Sequence, residues 1–262
     1  MGEVNPDWWK RIFDETYLIT DARSVCDEHL TAKEVDFLEQ TLDLDRSWPI
    51  LDLCGGQGRH SLELSRRGFQ DVTVLDYSEV LIKVGKEKAE TDGLSTRFIR
   101  SDARDTNLPD GCVRVVIVMA SSFGYFVQKG EDEKILQEVY RLLMPMGKLL
   151  LDLPDKAHVY ENFIPQSWHE ASEDVVVCRQ RRLADEALYC REIVISKTKG
   201  LIRDETYRIK LYNRERIEAM LTSAGFGSIS IQKDGPTHDK NGDYGCMTDR
   251  MIVLAQKDSS RI

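Results

Sequence analysis

The chain has 262 residues, 41% of them hydrophobic and 31% charged, with a formal net charge of −9 at pH 7. That composition is an ordinary globular one with enough apolar residues for a sizeable core. Its acidic balance makes nucleic acid an unlikely partner, because a broad footprint on phosphates needs clustered Lys and Arg.

Residues 7–19 are expected to form the first helix, since Trp9, Ile12 and Phe13 share a face at i, i+3, i+4 spacing. A second helix is expected over 31–42. Thr31 with Glu34 makes a capping box, and Val35, Leu38 and Leu42 form the apolar stripe. Strands and helices then alternate: strands over 50–54, 72–76, 97–100, 113–119 and 148–152, with helices over 59–67, 80–91 and 132–143. The turn Met144-Pro145-Met146-Gly147 precedes the fifth strand. Apolar strands alternating with helices imply a parallel sheet covered on both faces.

The alternation stops after Pro154. Residues 156–167 read as helical or irregular, and three β-rich segments follow near 173–182, 187–197 and 201–212. Their short turns, Ala184-Asp185-Glu186 and Lys199-Gly200, favour antiparallel hairpins. Residues 156–205 are therefore read as a β-rich insertion, acting as a cap or a dimer element, in a domain built from 1–155 and 206–262. Asn213 caps a helix through Ala224, which Gly225 ends. The last strands are 228–233 and 251–256, and the long polar loop between them has the length of a functional loop.

The six cysteines, at 26, 54, 112, 178, 190 and 246, form no Cys-x-x-Cys pair, so no zinc or dithiol signature is present and no metal is expected. The start, Met1-Gly2-Glu3-Val4-Asn5, has no apolar targeting core, and no apolar stretch reaches the length of a membrane span. The expectation is a cytoplasmic protein with no membrane partner.

The most informative stretch is 50–60, Ile-Leu-Asp-Leu-Cys-Gly-Gly-Gln-Gly-Arg-His: an apolar strand, a glycine-rich turn and a helix start. Glycines let a ligand approach bare backbone, and the helix N-terminus offers unpaired N–H groups. Asp52, Asp76 and Asp102 each mark a strand end. Ligands of open α/β sheets bind outside the carboxyl ends of the strands, so these acids should converge on one crevice. The dinucleotide fingerprint fails, with Ser61 or Gln57 standing where its glycines belong.

These residues resemble the class I S-adenosylmethionine-dependent methyltransferases. Residues 52–58 look like the family's first motif, acid-x-Gly-x-Gly-x-Gly, with Cys54 in the place of the first glycine. The resemblance spans about residues 45–155 and 205–257. It implies a Rossmann-like, seven-stranded, mostly parallel sheet with helices on both faces, plus the small antiparallel insertion. It also implies S-adenosyl-L-methionine as cofactor. By the same resemblance the cofactor would be held by Tyr17, Asp52, Cys54, Gly55, Gly56, Gly58, Asp76, Tyr77, Ser78, Asp102, Ala103 and Ala120. Asp76 would take the ribose hydroxyls, and Asp102-Ala103 the adenine. Trp9 and Tyr17 would close the site as part of a lid.

Methyl transfer from a sulfonium is an in-line displacement with a neutral leaving group, so alignment can supply much of the rate. A base is needed only if the nucleophile must lose a proton early. Candidates to act on the acceptor are Tyr125, Asp152, His169 and His238. Arg203 and Arg208, on the inserted strands, are candidates to bind an acidic acceptor. The partner expected is a small-molecule methyl acceptor, N or O. Extra sheets in small-metabolite N-methyltransferases roof the pocket or pair subunits, so a homodimer is among the expectations. The rivals are a protein or RNA methyltransferase and a non-catalytic cofactor-binding module.

Overall fold

A computed structural model of the chain describes residues 3–233, 235 and 247–259. A 3-10 turn (Trp8–Lys10) leads to α1 (Glu15–Thr20), α2 (Ala22–Val25) and α3 (Glu28–Leu42). The alternating part follows: β1 (Ile50–Leu53), α4 (Arg59–Arg66), β2 (Val72–Asp76), α5 (Glu79–Thr91), β3 (Arg97–Arg100), β4 (Val113–Val118), α6 (Glu131–Leu142) and β5 (Leu143–Pro154). Next come α7 (Lys156–Glu161), β6 (Gln166–Glu170), β7 (Val175–Ala184), β8 (Ala187–Ser196) and β9 (Gly200–Lys210). The chain returns to the core with α8 (Arg214–Ala224), β10 (Ser228–Gln232) and β11 (Arg250–Gln256).

Seven strands form one sheet in the order β10-β11-β5-β4-β1-β2-β3, and β11 runs antiparallel to both β5 and β10. The central strands are buried on both faces because their side chains alternate between two helical layers. Leu51, Leu53, Val116 and Leu149 pack with Leu136 and Val139 of α6 and Ile217 and Leu221 of α8. Ile50, Val115, Ile117 and Leu150 pack with Val35, Leu38 and Leu42 of α3. Truncating one of these leucines to alanine costs about 2–5 kcal/mol.

The first helix is not continuous. Asp14 breaks it, its side chain accepting from Thr16 N at 2.8 Å and Tyr17 N at 3.2 Å, so α1 begins anew there. Nor is Thr31 a cap. Asp27 caps α3 through Leu30 N, while Thr31 lies one turn inside and donates to Asp27 O at 2.7 Å. The buried Glu34 binds Arg59 and His60 instead of closing a box. The fifth strand is longer than expected at both ends, but its pairing jumps from Leu143 to Lys148, so the Met144–Gly147 turn bulges out of it.

The insertion is a four-stranded antiparallel sheet, β6-β7-β8-β9, with one strand more than the alternation suggested. β6 carries weak apolar patterning, Gln-Ser-Trp-His-Glu, which hid it. β9 continues to Lys210, past the boundary expected at 205. The sheet's inner face, with His169, Val177, Arg179, Glu192, Val194 and Arg203 buried, lies against the N-terminal segment.

Candidate active site

The carboxyl ends of β1, β2, β3 and β4 open into a cleft of about 1000 Å³, counting space open to solvent. Of the residues expected to bind cofactor, Tyr17, Asp52, Cys54, Gly55, Gly56, Asp76, Tyr77, Asp102, Ala103 and Ala120 line it. Gly58 and Ser78 do not. Gly58 sits behind the wall at φ 74, where a Cβ would meet Phe98 and Val74 at 2.8 Å, so its constraint is packing. Ser78 caps α5 by accepting from Leu81 N and donates to Phe13 O at 2.6 Å. It therefore ties the N-terminal segment to the core.

The glycine turn is set by two carboxylates. Asp76 accepts from Gly56 N with one oxygen and Ser78 N with the other, both at 2.8 Å. Asp52 accepts from Ser61 Oγ at 2.9 Å, which gives Ser61 the task of orienting this acid. A Cβ on Gly55 would lie 2.6 Å from Asp52 Cγ, so only glycine fits beside it. Burial raises the pKa of both Asp52 and Asp76.

Three non-glycine residues at strand ends have left-handed backbone: Cys54 (φ 59), Ala120 (φ 54) and Ser121 (φ 63). Such conformations cost about 1–3 kcal/mol each and cluster at functional sites. Cys54 carries this strain in the place of the motif's first glycine. Burial, followed by the charges of Asp76, Asp52 and Asp102, pushes its thiol well above the ordinary range. It is therefore a packed, protonated thiol.

The N-terminal segment closes the cleft. Trp9, Phe13 and Tyr17 line it, and Trp9 meets Tyr77 and Phe126 edge-on at 4.7 and 5.2 Å. Gln57 in the glycine turn donates to Val25 O of α2 at 2.7 Å, a tie with no sequence signature.

A second cavity of about 760 Å³ adjoins the first, and Phe13, Tyr17, Val25, Arg59, Ala120 and Tyr125 belong to both walls. The inserted sheet contributes Glu192, Arg203, Tyr207 and Ile209. Of the acceptor-side candidates among the described residues, Tyr125 alone reaches this junction. Burial raises its pKa strongly, so the phenol stays protonated at neutral pH.

Asp152 and His169 line neither cavity. Asp152 is buried under Arg250, whose Nε lies 2.6 Å away, and it accepts from Ala120 N at 2.9 Å. It shapes the end of β4 and does not face an acceptor. His169 is buried with Nε2 3.2 Å from Thr20 O. His238 lies outside the described residues. Arg208 donates to Phe126 O, and Arg203 turns to Glu192 and Asp14. Among the described residues no group of His, Cys, Asp and Glu could hold a metal, and no helix is long and apolar enough to cross a membrane.

The cleft suits a cationic nucleoside. Asp52 Oδ1 is buried with no hydrogen-bond partner, so a donor from a ligand would satisfy it. Three carboxylates around one cleft complement a sulfonium and an ammonium, and would repel a pyrophosphate.

Residues 50–147 match the family model of a methyltransferase domain. The Bacillus subtilis protein named "Putative methyltransferase YqeM" is 26% identical over 212 residues, covering 79% of this chain and 83% of that one. An S-adenosylmethionine-dependent methyltransferase from Clostridium acetobutylicum superposes with a TM-score of 0.74 at 17% identity, over 93% of this chain and 97% of the other. CalS10 from Micromonospora echinaspora, an amino pentose methyltransferase solved with S-adenosylmethionine bound, gives 0.66 at 15% identity over 93% and 97%. At such identities the structural likenesses speak for the fold, and the family model and YqeM for the kinship. Residues 50–147 are thus a methyltransferase domain, and the fold, the sequence relatives and the structural neighbours together support a class I S-adenosylmethionine-dependent methyltransferase.

Proposed function

We propose that the chain methylates a small-molecule acceptor held in the second cavity, and that the acceptor atom is a neutral amine nitrogen. The observation that carries this reading is the adjoining cavity itself, which shares Tyr17, Ala120 and Tyr125 with the cofactor cleft and is roofed by β8 and β9. Space on the acceptor side favours an enzyme over a non-catalytic cofactor-binding module. The net charge of −9 favours a small molecule over RNA.

S-adenosylmethionine supplies an activated methyl group on a sulfonium. In this reading Asp76 would accept from the ribose hydroxyls, Asp52 from the ligand's ammonium, and Asp102 with Ala103 would border the adenine. Trp9, Phe13 and Tyr17 exclude water, and the strained turn at Ala120 and Ser121 brings backbone to the junction. Among the described residues the junction holds no carboxylate or imidazole common to both cavities. Tyr125 is held neutral and can orient a nucleophile but not deprotonate a hydroxyl. That combination supports an amine, which attacks through its own lone pair. Aromatic walls from Trp8 and Tyr207 suit an amine-bearing ligand. The amino pentose specificity of CalS10 is compatible with this class.

The test is a turnover screen with methyl-labelled S-adenosylmethionine against matched small amines and alcohols, amino sugars included, with bulk RNA and protein as competitors. Labelled product on amines supports the reading. Label only on alcohols, RNA or protein, or binding without turnover on any of them, overturns it.

A further inference from the structure

Both ends of helix α1 are tied to a single buried carboxylate of the inserted sheet. Glu192, on β8, is 2% exposed. Its Oε1 accepts from Arg203 Nη1 at 3.0 Å, and its Oε2 accepts from Arg179 Nε at 2.9 Å. Arg203 reaches on to Asp14, the N-cap of α1. Arg179 reaches Asp21, which follows the last turn of α1, at 2.9 Å. The chain of charges is Asp14–Arg203–Glu192–Arg179–Asp21, and it crosses from lid to sheet twice.

Each link has a physical reason. A helix of six residues is far below the length at which helices persist alone, so tertiary ties decide where it sits. Asp14 favours the positive end of the helix dipole. Asp21 stands at the negative end, where a carboxylate is unfavourable unless a cation neutralises it, and Arg179 does so. Glu192 is buried and would be costly there without its two arginines. Fixing α1 fixes Tyr17, which belongs to both cavity walls, and the Phe13 ring set edge-on to it at 5.1 Å. Glu192 and Arg203 themselves line the second cavity.

We infer that Arg203 and Glu192 are positioning residues for cofactor binding: they hold α1 over the cofactor cleft from the acceptor side, so the two cavities close as one unit. The inference rests on the proposed function, in which the second cavity receives the acceptor. Neither residue lines the cofactor cleft, so any effect on cofactor affinity passes through Asp14 and α1.

The experiment is calorimetry with S-adenosylhomocysteine on the full chain and on Arg203→Met, Asp14→Asn and the double variant. Asparagine caps a helix as well as aspartate does, so Asp14→Asn keeps α1 capped and removes only the charge that Arg203 holds. Arg191→Met, which breaks the Arg191–Asp204 pair elsewhere on the same sheet, is the control. Each single variant should bind on the order of tenfold more weakly, and the double variant no more weakly than the worse single one. Arg203→Lys should recover part of the loss, and the control should bind like the native chain. Equal affinity in Arg203→Met, additive losses in the double variant, or an equal loss in the control overturns the inference. If the native chain fails to bind S-adenosylhomocysteine, the cofactor reading falls first, which separates the two failures. Asp14 is partly exposed, so its variant keeps the test decisive even if Arg203→Met folds poorly.

Discussion

Arg104 grips Asp102 with both sides of its guanidinium: Nε lies 2.9 Å from Oδ1, and Nη2 lies 2.6 Å from Oδ2. The same guanidinium lies 4.3 Å above the Phe126 ring and 5.4 Å from Trp9. One arginine thus holds the acid at the end of β3 and the aromatic wall beside it. Burial pushes the Asp102 carboxyl up, but the Arg104 bonds outweigh it and leave the pKa below its ordinary value. Replacing Arg104 with Met should loosen this end of the cleft and weaken S-adenosylhomocysteine binding by about 1–2 kcal/mol. Calorimetry reads this directly, and unchanged affinity would show that Arg104 is only a surface brace.

Asp76 orients Gly56 and Ser78, and in the proposed function it also faces the ribose. Asp76→Ala should lose about 3 kcal/mol of cofactor binding, because two backbone donors and the ligand hydroxyls lose a charged acceptor together. Titration calorimetry against the native chain checks it. Undiminished binding excludes the ribose role.

Cys54 and Gly55 should respond in opposite directions. Cys54→Gly removes the left-handed strain at φ 59 and should stabilise the fold by about 1 kcal/mol. Gly55→Ala places a Cβ 2.6 Å from Asp52 Cγ and should destabilise by about 2 kcal/mol, with loss of cofactor affinity. Urea unfolding of both variants settles the pair. A destabilised Cys54→Gly would mean that thiol packing outweighs the backbone strain.

Glu138 predicts an acid limb of stability. Burial raises its pKa, but Arg141 and Thr106 more than offset this and bring it down to about 2. A carboxyl lowered on folding stabilises above its unfolded pKa and loses that contribution as pH falls through its folded one. The contribution is therefore full above about pH 5 and fades toward pH 2, amounting to about 2 kcal/mol after allowance for solvent screening. Glu138→Gln should lower the melting temperature at pH 7 and flatten its dependence on acid. An identical slope in the variant would rule Glu138 out as its source.

Much of the core was legible in one dimension because its signals are local. The glycine turn after an apolar strand, the acids at strand ends and the alternation of strands with helices are read within a dozen residues. They marked both the sheet and most of the cleft wall: Asp52, Cys54, Gly56, Asp76 and Asp102 line the cavity they suggested. The misreadings are equally physical. Thr31 and Glu34 have the spacing of a capping box, yet Asp27 starts the helix earlier and leaves Glu34 free to bind Arg59 and His60. Asp152 looked like an acceptor ligand because it ends a strand, and only the antiparallel β11 brings Arg250 across to bury it.

What the sequence alone determined, then, is the sheet, the glycine turn and the gathering of acids around it. Tertiary structure decided which side chains share a wall. Arg203 meets Asp14 and Arg179 meets Asp21 only because the inserted sheet folds back over the N-terminal segment. Contacts between residues so far apart in the chain depend on how whole elements pack, and side-chain periodicity carries no record of that.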